Sequence, residues 1–344
     1  MRIALDGMGG DRAPSVVVDG AASALDEATS EIEIVLVGQQ EVLQGEMDRL
    51  GRPLKRVTIE PASQVVTMDD QPSHVLRRMP DSSIRRCFDL LKAGEVDAVV
   101  SAGNSGATMA VGMVVMGRLA EVDRPALAAV LPSLHGNTVL IDVGANVDCS
   151  PMMLLQFGYM GAVYAERVLG VDNPTVGLLS IGEEGSKGNN AVRAAHEYFK
   201  NSALNFVGNI EGRDIFSGQT SVVVCDGFVG NICLKLSEGL AESTGRFLTQ
   251  EAAGSPARWM GGLFLRGAFR RFKGLMDYAS YGGVPLLGIN GVAFICHGRS
   301  SARAIGRAVT MATESVRGRL VQHLSEGLAE YRGLLLGERE IGSL

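Results

Sequence analysis

Six short turns hold the side chains that could do chemistry: DGMGGD (Asp6 to Asp11), SAGNSGA (Ser101 to Ala107), DVGAN (Asp142 to Asn146), SIGEEGSKGNN (Ser180 to Asn190), CDGFVGN (Cys225 to Asn231) and CHGRSS (Cys296 to Ser301). Each closes an apolar run and is rich in small polar residues, and Lys187 is a cation among glycines. A glycine-bracketed turn that opens a helix leaves backbone N–H groups without intrahelical partners, where the helix dipole also favours negative charge. Such turns offer a seat for an anion, and phosphate suits them. Asn104, Ser105 and the amides around Gly106 are the first candidates for that seat. Structural readings stand beside these: Asn104 and Ser105 as helix caps, and Lys187 as a solvated loop lysine.

Other chemistries fail on spacing. A dinucleotide fingerprint begun at Gly7 needs glycine where Arg12 stands, and a Walker A loop ending at Lys187 needs glycine at Ile181 and Ser186. The serine of AGNSGA sits in GxSG, one residue short of the GxSxG nucleophile elbow. The histidines at 74, 135, 196, 297 and 323 form no HxxxH pair, so no zinc site is expected. Cys87, Cys149, Cys225, Cys233 and Cys296 are scattered, without a CxxC, and read as buried reduced thiols. No metal and no organic cofactor is expected.

The elements that must position these turns are legible as alternating apolar runs and helical stretches. The runs are RIALDG, IEIVLVG, RVTIEPA, VDAVVSAG, ALAAVLPS, TVLIDVGAN, TVGLLSIG, LNFVGNI, SVVVCDG and GVAFICHG. Several are apolar almost throughout, as strands covered on both faces are. Helices are predicted over Pro14 to Ala28, Ser105 to Leu119, Met152 to Leu169 and Asn189 to Lys200. The expectation is an α/β chain, a single catalytic domain over 1–344, with a largely parallel sheet and helices on both sides. Ligands of such sheets bind beyond the carboxyl ends of the strands. That rule predicts one rim for all six turns, with Asp6, Gly9, Asp11, Asn146, Asp226 and Gly227 along it.

With 344 residues, 46% hydrophobic and 20% charged, the chain can bury a large core. Its net charge of −6 argues against nucleic acid as a partner. No apolar run reaches the roughly 18 residues of a membrane span, and MRIALDG enters a strand without a leader. The chain therefore reads as cytoplasmic. One segment, Ser255 to Gly283, departs from the average. From Ser255 to Asp277 it sets Arg258, Arg266, Arg270, Arg271 and Lys273 against Asp277 alone, and it holds the only tryptophan, Trp259. Leu265, Phe269, Phe272 and Met276 recur at helical spacing, with Arg266, Arg270 and Lys273 on a separate line. The pattern predicts an amphipathic helix, protruding onto anionic lipid, docking an acidic partner, or facing the core with a solvated back.

Taken together, DGMGGDRAP, SAGNSGA, DVGAN, LLSIGEEGSKGN, CDGFVGN and GINGVAFICHG resemble the phosphate acyltransferases of bacterial phospholipid synthesis, the PlsX family, in the same order from Met1 to about Leu335. Two places depart from the family pattern: HGRSSA, with Arg299 and Ala302, stands where HGSSN is usual, and Ser105 replaces a threonine. The resemblance implies an isopropylmalate-dehydrogenase-like αβα fold related to the phosphotransacetylases, a homodimer, and no cofactor. It implies transfer of a long-chain acyl group from acyl carrier protein to inorganic phosphate, at an anionic membrane surface. The acyl phosphate would pass to a membrane glycerol-3-phosphate acyltransferase. On that reading Lys187 and Asn231 lie nearest the reacting carbonyl, Asn104, Ser105 and Gly106 seat the phosphate, and His297 is the candidate proton donor to the departing thiolate. Asp6, Asp11 and Asp226 orient the cation or cap turns. Trp259, Leu265, Phe269, Arg270, Phe272 and Lys273 would meet the membrane. Two alternatives stay open: a short-chain acyl-CoA phosphotransacylase of the same fold, and a non-catalytic membrane-docking scaffold.

Overall fold

In the computed structural model, which describes residues 1–27, 31–253, 267 and 282–329, every one of the ten apolar runs contains a strand. For the inner strands the reason is two-sided burial. In β1 (Arg2–Asp6), Ile3 and Leu5 pack into one core and Ala4 into the other; in β2 (Glu33–Gly38), Ile34 and Leu36 oppose Val35 and Val37 in the same way. β3 (Val57–Pro61), β4 (Ala98–Ser101), β5 (Ala126–Ser133), β6 (Gly136–Ile141), β7 (Thr175–Leu179), β8 (Asn205–Ile210) and β9 (Val222–Val224) follow. β10 (Val284–Leu287) and β11 (Val292–Ile295) complete one 11-stranded sheet in the order β3-β2-β1-β4-β11-β10-β5-β6-β9-β7-β8.

Helices cover both faces: α1 (Ser15–Glu27), α2 (Gln40–Arg49), α3 (Pro72–Arg78), α4 (Ser83–Ala93), α5 (Ser105–Met116), α6 (Pro151–Arg167), α7 (Asn190–Lys200), α8 (Gly227–Ala253) and α9 (Ala302–Arg317). α5 stops three residues before the predicted end because Gly117 turns to φ 74°, a conformation that favours glycine. α1 and α9 approach closely where Gly20 faces Ile305, since a Cβ at Gly20 would stand 2.7 Å from that side chain. The predicted basic helix and its membrane-facing residues lie outside the described residues.

The parallel reading of the sheet holds within each half and fails in the middle. β1 to β4 and β11 run parallel, as do β6, β9, β7 and β8. Between the halves, β11–β10, β10–β5 and β5–β6 are all antiparallel. Three successive reversals leave the second half pointing opposite to the first. The single rim predicted for the six turns is thereby corrected: the turns after β1, β4 and β11 lie at one edge, and those after β6, β7 and β9 at the other. The strand missing from the sequence reading, β10, is one of the reversing strands. Pro285 in VPLL hid it, because proline removes a ladder donor.

Candidate active site

At the first edge, the turns after β1, β4 and β11 interlock. The buried Asp6 accepts a hydrogen bond from Ser101 Oγ at 2.7 Å, and Ser101 Oγ in turn accepts from Gly103 N–H at 3.1 Å. Burial raises the Asp6 pKa against the opposing pull of the Ser83 and Ser101 hydroxyls. A Cβ on Gly9 would fall 2.5 Å from Asp6 Oδ2 and 2.7 Å from Gly103 N, so only glycine lets the turns touch. Asp11 N–H donates to Gly298 O at 2.9 Å. Arg12 donates to the carbonyls of Arg299 and Ser300, and Ser301 caps α9 through Ala304 N–H, which accommodates HGRSSA within the turn.

Asn104 resolves toward its structural reading. Its Oδ1 accepts from Ala107 N–H at 3.0 Å, and its Nδ2 faces the carbonyls of Thr67, Met68 and Asp70 at 3.2, 3.0 and 2.9 Å. The amide caps α5 and ties down the 67–70 loop, which leaves it no spare donor for an anion. Ser105 and Gly106, the first two residues of α5, keep N–H groups without a carbonyl four residues back.

The second edge is organised by Asp142, whose side chain is wholly buried. Its Oδ1 accepts from the N–H groups of Leu127 (3.0 Å), Gly144 (3.2 Å) and Ala145 (3.1 Å). Its Oδ2 accepts from Asn146 N–H (2.7 Å) and Asn146 Nδ2 (3.0 Å). Burial pushes the carboxyl pKa up while these donors restrain the rise. α8 begins directly on this turn: a Cβ at Gly230 would lie 1.9 Å from Asp142 O, and one at Gly227 2.7 Å from Asn146 O. Asp226 caps α8 by accepting from Val229 N–H at 2.8 Å. Lys187 stands exposed in the turn after β7, with its N–H donating to Glu184 O.

α8 connects the two edges and roofs a cavity of about 380 Å³. Ser105, His297 and Gly298 belong to its wall from the first edge, and Gly144 and Asn231 from the second. Leu127, Ala129 and Leu131, alternate residues of β5, form part of the wall, with Leu234, Lys235, Glu238 and Ala241 from α8. Of the residues predicted for chemistry, Ser105, Asn231 and His297 line this space. Lys187, Asn104, Gly106, Asp6, Gly9, Asp11, Asn146, Asp226 and Gly227 do not. Among the described residues, the cation on the wall is Lys235, paired with Glu238 at 3.0 Å. Sequence reasoning passed over it, although CDGFVGNICLK places Lys235 four residues after Asn231, on the same helix face.

Two groups in the wall have their chemistry set by their surroundings. Arg299 N–H donates to His297 Nδ1 at 3.1 Å, which puts the proton of the neutral ring on Nε2. Burial lowers the His297 pKa, and the nearby Lys235 charge lowers it further, so the neutral ring is favoured. Cys296 also lines the cavity, but burial pushes its thiol up to about 12, which removes it as a nucleophile. Cys87 and Cys225 are buried as well, while Cys149 and Cys233 are half-buried. Among the described residues, no cluster of His, Cys, Asp or Glu is arranged to hold a metal, and no helix is long and apolar enough to cross a membrane.

A family model described as "Fatty acid synthesis protein" matches residues 1–323. A protein named "Phosphate acyltransferase" from Trichlorobacter lovleyi is 50% identical over 335 residues, covering 97% of this chain and 96% of its own. Another of that name, from Geobacter sulfurreducens, is 54% identical over 326 residues, covering 95% and 94%. The chain belongs to the phosphate acyltransferase family. With that family it is an acyltransferase. Among solved structures, a phosphotransacetylase from Streptococcus pyogenes superposes with a TM-score of 0.65 at 17% identity, over 92% of this chain and 94% of that one. The EutD phosphotransacetylase from Staphylococcus aureus gives 0.59 at 15%, over 92% and 94%. At such identities the likeness is one of fold.

In this family member the roof of the cavity rests on Asp142. Asp142→Asn keeps one acceptor oxygen and turns an NH2 group toward the donors of Asn146. The variant should lose about 1–3 kcal/mol of stability, read as a lower urea midpoint; an unchanged midpoint would show that the five-donor carboxylate is not structurally needed.

Proposed function

We propose that the chain transfers a long-chain acyl group from acyl carrier protein to inorganic phosphate, yielding acyl phosphate and free carrier protein, an early step of phospholipid synthesis. The observation that carries this reading is a single cavity whose wall combines Ser105, at the open N-terminus of α5, with Lys235, His297 and a long apolar surface. Phosphate seats on the Ser105 hydroxyl and amide, where an N–H group without an intrahelical partner and the helix dipole both favour an anion. A phosphate oxygen attacks the thioester carbonyl carbon; the new C–O bond forms, the C–S bond breaks, and the carrier thiolate leaves with the electron pair. Phosphate is itself the nucleophile, so no activated serine or cysteine is required.

Lys235 offsets the charge of phosphate and of the developing oxyanion. His297, neutral and carrying its proton on Nε2, acts as a hydrogen-bond donor to the oxyanion. A general acid would have to be imidazolium, which burial and Lys235 disfavour. A single oxyanion donor is typically worth about 10²- to 10³-fold in rate. Lys187, exposed at the second edge, serves as an outer cation that draws phosphate in. Purified protein mixed with palmitoyl-carrier protein and phosphate should form acyl phosphate, trapped as its hydroxamate; no phosphate-dependent hydroxamate from folded protein would refute the reaction. Lys235→Ala should cut kcat at least tenfold, whereas Lys187→Ala should raise KM for phosphate with kcat nearly kept; the reverse pattern would exchange the two roles.

The segment over 255–283 is proposed to lie on anionic lipid, where a water-insoluble product is handed to the membrane glycerol-3-phosphate acyltransferase. Its basic and aromatic composition supports this. Flotation with vesicles containing anionic lipid should recover the protein, and Phe269→Glu with Phe272→Glu should abolish recovery; retention of the double variant would exclude the lipid role.

A homodimer is proposed as well. Its support is the outward row of α8, where Phe228, Ile232, Leu236, Leu240 and Phe247 are all exposed. Sedimentation equilibrium should give twice the chain mass, and a monomer mass at micromolar concentration would exclude it.

A further inference from the structure

We infer that the cavity under α8 is an acyl-chain channel, with Ala129 in its floor setting the length of chain it accepts. The inference rests on the acyl-transfer reading above and adds where the chain lies and what measures it.

Floor and roof match in length. From Leu127 to Pro132 the cavity follows β5 for about 17 Å, at roughly 3.4 Å per residue, and from Asn231 to Ala241 it follows α8 for about 15 Å, at 1.5 Å per residue. A volume of about 380 Å³ falls in the range of sites that bury a whole small molecule and far exceeds what phosphate or an acetyl group fills. Polarity is uneven along the wall. Lys235, Glu238 and His297 interact electrostatically with one another, and His297 belongs to the same edge as Ser105. This is the end for a thioester and phosphate. Leu127, Ala129 and Leu131 below, with Leu234 above and Val143 toward the second edge, provide the walls for a hydrocarbon.

The occupant is therefore linear, apolar and attached at one end to a reactive carbonyl. A carrier-borne or free fatty acyl chain fits; a nucleotide or sugar would strand its polar groups against aliphatic walls. Ala129 matters because leucines flank it on the same face of β5. Its missing side-chain volume keeps the middle of the floor open, and a larger residue there would divide the channel. Each methylene taken from water favours a longer chain by about fourfold until the channel is full.

Two readouts test the inference apart from the reaction. In the first, cis-parinaric acid, a fluorescent long-chain fatty acid, is titrated into the unmodified protein. Saturable binding displaced by palmitate, and not by hexanoate at the same concentration, is expected; no binding, or equal displacement by both, would overturn the channel whether or not the protein turns over. In the second, Ala129→Phe and Leu234→Trp narrow the channel from floor and roof, circular dichroism confirming that each is folded. In either variant the palmitoyl-to-butyryl ratio of kcat/KM should fall at least tenfold, and a ratio within twofold of wild type in a folded variant would overturn it. Absence of acyl phosphate from every thioester, with parinaric acid still bound, would refute the reaction and leave the channel standing.

Discussion

The buried carboxylate of Asp142 is the constraint on which the site depends. Five N–H bonds converge on its two oxygens from Leu127, Gly144, Ala145 and Asn146, which fixes the start of β5 against the 143–146 turn. Asn146 then spends the rest of its amide on Pro125 O, closing the same corner from outside. Because α8 sits directly on this turn through Gly227 and Gly230, the position of the helix is inherited from the carboxylate. Neither glycine could gain a side chain without lifting the helix. A charge-bearing group buried with no cation beside it among the described residues would ordinarily be costly, and here the donors make it tolerable.

The antiparallel middle of the sheet explains why a long helix is needed at all. In a sheet parallel throughout, every strand end would reach one crevice, and short loops would suffice to assemble a site. Here the open N-terminus of α5 belongs to one edge and Asn231 to the other. α8 spans that separation, and its inner face carries Asn231, Leu234, Lys235, Glu238 and Ala241 along one continuous line. Its thin attachment to the sheet leaves large apolar side chains on the opposite face, with Leu236 68% and Leu240 65% exposed. The helix therefore turns a mixed polar face inward and an apolar row outward, the reverse of an ordinary amphipathic surface helix.

Most of the fold was legible in the sequence because two-sided burial writes the inner strands as nearly unbroken apolar runs. Ten runs became strands, and the four helices predicted appear with ends shifted by a few residues. β10 escaped because Pro285 contradicts the usual rule for interior strands, and with it went part of the reversal that divides the turns. The site was legible in part. Ser105, Asn231 and His297 were found through their place after strands, which survives in the structure as shared walls of one cavity. Asn104 shows the limit of that approach: a cap and an anion ligand have the same residue type at the same position, and only the three carbonyls around its Nδ2 separate them. Lys235 carries no such signal, because it lies inside α8, one turn beyond Asn231, where only helical periodicity links it to the strand-end turn.

The strand order also has a temporal side. β4 takes β11 as its parallel neighbour, and β5 takes β10, although these two partners come from the far end of the chain. During synthesis, β1 to β4 and β5 to β9 would stand as two separate sheets, each with one unpaired edge, β4 or β5, that the finished sheet covers. At about 5–20 residues per second, the edge of β4 waits on the order of ten seconds or more for its partner. Such bare edges are templates for wrong pairing between nascent chains. The β10–β11 hairpin works as a late-arriving rivet: until the ribosome delivers it, the molecule is two half-sheets, each sticky on the side that will later be its centre.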